Sequence, residues 1–239
     1  MKPTTLLILL CTVALVACAH TPAASGKNRM PQRGDGNSLG QLGKSDFDRM
    51  ADVEMRENSQ SLRVLMAKLY KRNPRELRKS TAGSAEEMVN WVFDGRQDWR
   101  FPAINNAEET DAIQQAFKPE YQGDRVLSLL VGIQTMLIKA HGGKTEFFIT
   151  DSIDPQSVYN ASRNIEIAVW KLSNARDEAG QLYLLTNEIN DTERNLSFER
   201  EFGKIIGSLD LYALTLSEKL QSTLTRVVQT LATALFLPF

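Results

Sequence analysis

The residues best suited to acid–base chemistry lie in one short stretch. Glu146, Asp151 and Asp154 surround a pair of phenylalanines, and His141 lies just before them. One carboxylic acid with a raised pKa is enough for an enzyme that cleaves envelope glycans. A structural role competes with this hypothesis. Asp154 precedes Pro155, a pattern typical of a helix N-terminus, and His141 precedes two glycines, a pattern typical of a helix end. We favour the structural role.

Other catalytic and cofactor signatures are missing from the sequence. It contains no HExxH, no paired-histidine spacing and no Gly-x-Ser-x-Gly elbow, and Gly142-Gly143-Lys144 lacks the flanking residues of a phosphate-binding loop. We therefore expect no metal site and no cofactor, and a binding or assembly role in preference to an enzyme.

An aromatic segment is the second candidate site. Planar aromatic rings interleaved with arginines can hold a sugar, a peptide or the centre of a protein interface. The alternative, which we favour, is that Trp91 and Phe93 pack inward and the loop covers the core, since tryptophan is usually mostly buried. The candidate binding residues are Trp91, Phe93, Arg96, Trp99, Arg100 and Phe101.

The N-terminus has the pattern of a secretory signal. Met1-Lys2 is basic, Leu6 to Val16 is apolar apart from Thr12, and Leu15-Val16-Ala17-Cys18 follows. This resembles the lipobox of bacterial lipoproteins. The resemblance implies that residues 1–17 are a cleaved signal peptide and that Cys18 carries lipid, including palmitate-type acyl chains. The alternative, an uncleaved membrane anchor, is disfavoured because the apolar core is well short of the roughly 20 residues that span a bilayer.

The lipoprotein resemblance also implies a location. Ala19, and not aspartate, follows the lipidated cysteine, so an enterobacterial-type sorting rule implies the outer membrane, facing the periplasm. Residues 18–44 contain glycines and prolines and few large apolar side chains, which predicts a flexible tether. The mature region is similar only in general character to uncharacterised proteobacterial lipoproteins.

Bulk composition excludes some partners and some stabilising devices. The net charge is -1, with 28 basic and 29 acidic residues, so we expect no nucleic-acid partner. The only cysteines are Cys11 and Cys18. Because Cys11 lies in the signal and Cys18 carries the lipid, we expect the folded region to have no disulfide and no thiol chemistry.

Residues 45–239 are predicted to form a mainly α domain, a compact multi-helix bundle with at most a minor two-stranded element. Helices are predicted from Ser45 to about Arg72, from Pro74 to about Lys79, from Ser84 to about Gly95, from a cap at Asn106 to about Phe117, from Asp124 to Ala140, and from Asp154 to about Arg176. The segment from 124 to 140 is the most apolar, so we place it at the centre. Residues 146–153 and 181–186 are the strand candidates, with extended loops as the alternative.

The last part of the chain predicts two helices separated by a break or kink at Gly207. The second, residues 208–235, has apolar residues at steps of three or four, and Arg226 is the only charged residue after position 219. An exposed helix face usually carries charges. The weakly polar face therefore packs within the same fold, which we favour, or contacts a protein partner or a second copy.

Overall fold

The fold is known from a computed structural model that describes residues 44–95, 97–148, 152–189, 194–221 and 236–238. These residues belong to one unit. Its helices are α1 (Asp46–Arg72), α2 (Pro74–Ser80), α3 (Ala85–Asp94), α4 (Glu109–Gln115), α5 (Arg125–Ala140), α6 (Pro155–Asn174) and α7 (Ser197–Lys219), with a 3-10 turn at Pro102–Ile104. The mainly α prediction is confirmed.

Side-chain caps determine where most helices begin. Ser45 and Ser84 each form a reciprocal capping box, with Asp48 and Glu87 respectively. Asp154 accepts hydrogen bonds from two backbone N–H groups of the first turn of α6. The predicted cap at Asn106 is wrong: α4 begins three residues later, after Glu108, with no side-chain cap.

Helix α5 lies at the centre of the core, as predicted. Its side chains from Arg125 to Leu137 are all buried, and α1, α4 and α6 pack around it. Gly132 permits the closest of these approaches. An added Cβ at this position would lie 2.7 Å from the carbonyl oxygen of Glu109 and 2.8 Å from the backbone nitrogen of Ile113. The contact between α4 and α5 therefore requires glycine here.

Helix α7 differs from the prediction at both Gly207 and Leu220. It passes through Gly207 without a break, because this residue faces solvent while the buried stripe of Phe202, Ile205 and Leu209 continues. It ends at Lys219, and Gln221 has a left-handed φ of 51°. The prediction of one helix over residues 208–235 is therefore wrong, because α7 ends within that range. Residues 222–235 lie outside the described part.

The small sheet is not where the sequence predicted it. Two-residue strands β1 (Glu188–Ile189) and β2 (Arg194–Asn195) pair antiparallel. Neither candidate segment is a strand where it is described. Leu182 forms only an isolated antiparallel bridge with Arg176, and side chains pair with the backbone elsewhere in the two segments. The Phe147 N–H donates to Asp52 Oδ1 at 3.1 Å. The N–H and C=O of Leu185 pair with the side-chain amide of Asn73 at 2.8 and 2.9 Å.

Candidate functional site

Trp99 is held in a strained turn that follows α3. The Arg100 N–H donates to the Gln97 carbonyl at 2.8 Å, and the two central residues are left-handed, with φ of 45° at Asp98 and 61° at Trp99. Turns of this type normally use Asn-Gly at these positions. A left-handed tryptophan costs about 1–2 kcal/mol, so the surrounding contacts must hold this conformation.

A series of ring contacts fixes the orientation of Trp99. Its indole packs edge-to-face on Phe93, with centroids 5.3 Å apart and planes at 82°. The Arg63 guanidinium lies 5.0 Å from the Phe93 centroid. Arg63 also makes a two-point ion pair with Asp94, one arm of which is 3.0 Å long. The tryptophan is thereby positioned before any ligand arrives, which lowers the cost of binding.

Trp99 separates two neighbouring cavities. The larger has a volume of about 510 Å³ and the smaller of about 210 Å³. Both are lined by Asp98, Trp99, Ile138 and Gly143. The larger lies within the range of small-molecule sites, roughly 300–1,000 Å³. Its other lining residues are Val92, Phe93, Gly95, Gln97, Lys144, Thr145 and Glu146. We call this larger space the Trp99 cavity.

Positive backbone φ angles are concentrated in the segment that contributes Asp98, Trp99 and Glu109 to these cavities. Six described non-glycine residues have a positive φ, and five of them lie between positions 98 and 109. Glu109 (φ 52°) belongs to this group; its N–H donates to Thr135 Oγ1 at 2.7 Å and its carboxylate pairs with Lys139 at 3.0 Å. Such clusters of strained residues are typical of ligand-binding and active sites.

Two carboxylates at the Trp99 cavity have no partner among the described residues. Asp98 and Glu146 are exposed and make no hydrogen bond or ion pair there. Gln97 Oε1 is buried, also without a hydrogen-bond partner. Glu108, by contrast, lies 3.6 Å from Arg100. The wall of the cavity therefore combines aromatic surface with acceptors that have no donor.

The six predicted binding residues do not form one surface. Phe93 and Trp99 meet at the cavity, whereas the Trp91 ring packs on Phe101 with centroids 5.2 Å apart. Phe101 is 1% exposed and belongs to the core, so its inclusion as a binding residue is wrong. Arg100 is exposed and lines a neighbouring depression. The prediction for Arg96 lies outside the described residues.

The predicted carboxylates also separate. Glu146 lines the Trp99 cavity. Asp154 is engaged as the cap of α6, accepting from the Ser157 N–H at 2.9 Å and the Ser157 hydroxyl at 2.7 Å. Asp151 lies outside the described residues. Within the part of the chain that the structure covers, no three or more His, Cys, Asp or Glu side chains lie close enough together to hold a metal ion.

His141 is the end of α5, as predicted, but it belongs to a buried polar cluster that the sequence did not reveal. Its Nδ1 donates to the Leu137 carbonyl at 2.8 Å, and its Nε2 lies 2.8 Å from Glu54 Oε2, off the direction of a straight hydrogen bond. The ring stacks on Tyr212 at 5.6 Å. Asn58 donates to Glu54 and accepts from the Ser208 hydroxyl at 2.8 Å.

Sequence spacing carried a signal for this cluster. Glu54 and Asn58 occupy core positions of α1, between the buried Ala51 and Leu62. Polar residues at such positions indicate a buried network. We find none of these side chains lining the cavities beside Trp99, so their role is to join α1, α5 and α7.

Burial shifts the pKa of other ionisable groups in the core. Desolvation raises the pKa of Asp124, although hydrogen bonds from Ser80, Leu127 and Tyr70 oppose the shift. Burial, and then the charge of Asp124, raises the pKa of the Tyr70 phenol well above its usual range. Burial likewise raises the pKa of Tyr212, reinforced by the charge of Glu54. Because Asp124 caps α5, we assign its cluster a structural role.

Comparison with known proteins adds no relative. No family model matches the sequence, and no curated protein or solved structure matches it either. None of the helices in the described ranges is both long enough and apolar enough to cross a membrane.

Proposed function

We propose that this chain is a lipid-anchored envelope protein whose helical domain binds a ligand or partner at the Trp99 cavity, without catalysis. The lipobox residues that end in Cys18 support the anchor, and Ala19 supports an outer-membrane location facing the periplasm. The predicted tether of residues 18–44, behaving as a coil, would give the start of the domain a root-mean-square reach of about 30 Å from the membrane.

The observation that carries the binding role is the left-handed conformation of Trp99. A large aromatic residue occupies the position where turns of this type place glycine. Trp99 packs only in part against the core, and it also lines two neighbouring open cavities. Trp99 therefore presents its indole to any ligand that occupies these cavities. Tryptophan is enriched among residues that dominate binding energy.

The binding role is tested by capture of the bound component. The full lipidated protein is cross-linked mildly in cells and purified by an affinity tag. We expect wild type to carry a stoichiometric component and Trp99→Ala to retain less than about a tenth of it, since a tryptophan at the centre of a site contributes 2 kcal/mol or more. Trp170→Ala is the matched control and should bind as wild type, because Trp170 lies on α6, away from the cavities. Equal recovery from Trp99→Ala, or purification of the protein alone, would contradict the proposal.

The anchor is tested by replacing the lipidated residue. In the proposed pathway Cys18→Ser blocks acylation and cleavage together, so the variant should accumulate as an unprocessed precursor. Labelling with a palmitate analogue and measuring the mass of the product check both steps. A Cys18→Ser protein of mature mass that fractionates as soluble would show that the anchor assignment is wrong.

The outer face of α7 supplies a second contact surface in this proposal. Leu211 and Leu214 are 60% and 49% exposed. Gly203 and Gly207 fall on the same face, with open space around each. We propose that a second copy packs here. Sedimentation equilibrium should detect a dimer that Leu211→Glu dissociates. A wild-type protein that stays monomeric at high concentration would exclude this contact.

Envelope glycan cleavage remains a second candidate, and one observation favours it. Glu146 lines the Trp99 cavity as an exposed carboxylate, where a general acid would meet a substrate. Incubating peptidoglycan with wild type and with Glu146→Gln decides between the two functions. Turnover by wild type that the variant lacks would replace the non-catalytic proposal; absence of turnover in both would remove this candidate.

A further inference from the structure

We propose that the Trp99 cavity binds a cationic amine, with the ammonium group between Asp98 and Glu146 and the body of the ligand against Trp99. This inference rests on the proposed binding function and names the ligand chemistry of the same site. It follows from the charge of the lining, from its aromatic wall and from carboxylate oxygens that lack a donor.

The charge of the lining favours a cation. Among the described lining residues, Asp98 and Glu146 are acidic and Lys144 is the one base. Neither carboxylate is paired with another described side chain, whereas the acids nearest to them, Glu108 and Glu109, already face Arg100 and Lys139. A ligand that brings a positive charge would compensate this local excess.

The aromatic wall suits an amine on a small apolar body. A cation within about 6 Å of a tryptophan face is attracted by the ring, and tryptophan is the strongest of the aromatic side chains in this respect. A contact of the same kind occurs at the neighbouring ring, where the Arg63 guanidinium lies 5.0 Å from the Phe93 centroid. Val92 and Ile138 add apolar surface for methylene or ring carbons.

The hydrogen-bonding pattern of the wall also favours a donor-rich ligand. Asp98 and Glu146 each present carboxylate oxygens, which only accept hydrogen bonds. An ammonium group supplies three N–H donors, so it can satisfy several of these oxygens together. A carboxylate or phosphate ligand would bring further acceptors to the same wall and be repelled by it.

Two sources of this chemistry fit a cavity of about 510 Å³: an amine on a peptide side chain and an amine on a sugar ring. The two share the ammonium group and differ in the body that meets Trp99. Probes of both kinds, each paired with its neutral acetylated form, separate the role of the charge from the role of the body.

The experiment follows the indole N–H signals of the full mature protein in a neutral detergent. The chain has three tryptophans, Trp91, Trp99 and Trp170, and Trp99→Phe assigns the signal of interest. The probes are Nα-acetyl-lysine amide and glucosamine, with Nα,Nε-diacetyl-lysine amide and N-acetylglucosamine as neutral partners. We expect at least one amine to shift the Trp99 signal saturably and its acetylated form to bind at least about tenfold more weakly. Trp170 should not respond. The amine with the higher affinity identifies the source.

Charge-neutralising variants test the same inference by a second route. Asp98→Asn and Glu146→Gln should each weaken amine binding about two- to fivefold, the range of an exposed ion pair. Asparagine tolerates the left-handed conformation at position 98. Glu178→Gln, an exposed carboxylate that does not line the cavity, should bind as wild type. Binding should also weaken as salt is raised.

The outcomes separate the two proposals. Equal binding of amines and acetylated forms, or no effect of the carboxylate variants, would overturn the amine inference while the binding function stands. Failure of both amines to shift Trp99 would overturn it as well. In that case the cross-linking experiment decides the binding function. If the captured component depends on Trp99, the binding function stands; if it does not, the binding function is wrong as well.

Discussion

Replacing Glu54 with leucine is expected to lower the free energy of unfolding by about 3–5 kcal/mol, because two buried polar groups lose their partner at roughly 1–3 kcal/mol each. Glu54 and His141 are 6% and 1% exposed, and their facing atoms are 2.8 Å apart. Leucine would leave both His141 Nε2 and the Asn58 amide without a partner. Urea denaturation with an unchanged m-value measures the effect.

The matched variant Glu54→Gln should cost less than about 1 kcal/mol, since it can satisfy the same groups. His141 Nδ1 must donate, because the Leu137 carbonyl can only accept. With Nδ1 donating, the Nε2 of a neutral ring can only accept a hydrogen bond. A glutamine can accept from Asn58 and donate to a neutral His141. A leucine variant within 1 kcal/mol of wild type would contradict the buried pair. If glutamine lowered the free energy of unfolding as much as leucine, the Glu54–His141 contact would depend on charge and not on hydrogen bonding.

A second large effect is expected at Gly132. Gly132→Ala should destabilise the fold by about 1–3 kcal/mol, as overpacking does in a dense core. The new methyl group would meet backbone atoms of Glu109 and Ile113 at 2.7–2.8 Å, and backbone cannot move aside as the end of a flexible side chain can. Because Glu109 carries part of the strain beside Trp99, the Trp99 indole signal should shift as well.

The same substitution at Gly207 should have the opposite sign. Gly207 lies within α7 with nothing within 4 Å of an added Cβ, so alanine should stabilise the fold by about 0.5–1 kcal/mol through helix propensity alone. Thermal or urea denaturation of the two variants side by side checks the pair. Two changes of the same sign would contradict either the close approach at Gly132 or the continuous helix through Gly207.

Local chemistry made much of the helical framework predictable. Ser45, Ser84, Asp124 and Asp154 cap helices because each supplies an oxygen to free backbone N–H groups within three residues. Such signals act over a single turn and are visible in the sequence. The predicted break at Gly207 was wrong for the same reason, because it rested on local propensity alone. Glycine costs a helix about 1 kcal/mol, and burial of the apolar stripe on the opposite face of α7 outweighs that cost.

The site was only partly predictable, because it depends on contacts between distant segments. The aromatic segment was identified, but nothing in it indicated that Trp99 would take a left-handed conformation or which of its rings would be buried. Glu146 comes to the same cavity from the segment after α5. Similarly, the buried Asn164 of α6 holds the backbone of Leu237 at 2.7 and 3.0 Å, a pairing for which residue types alone give no signal.

The central claim is that the Trp99 cavity is occupied when the protein is in its envelope. Hydroxyl-radical footprinting read by mass spectrometry tests this directly, with Trp91 and Trp170 as internal standards. Trp91 is 46% exposed and packs on Phe101 outside the cavity lining. We expect oxidation of Trp99, relative to these two residues, to be several-fold lower in intact membranes than in the purified protein. An unchanged ratio in the two preparations would contradict the account.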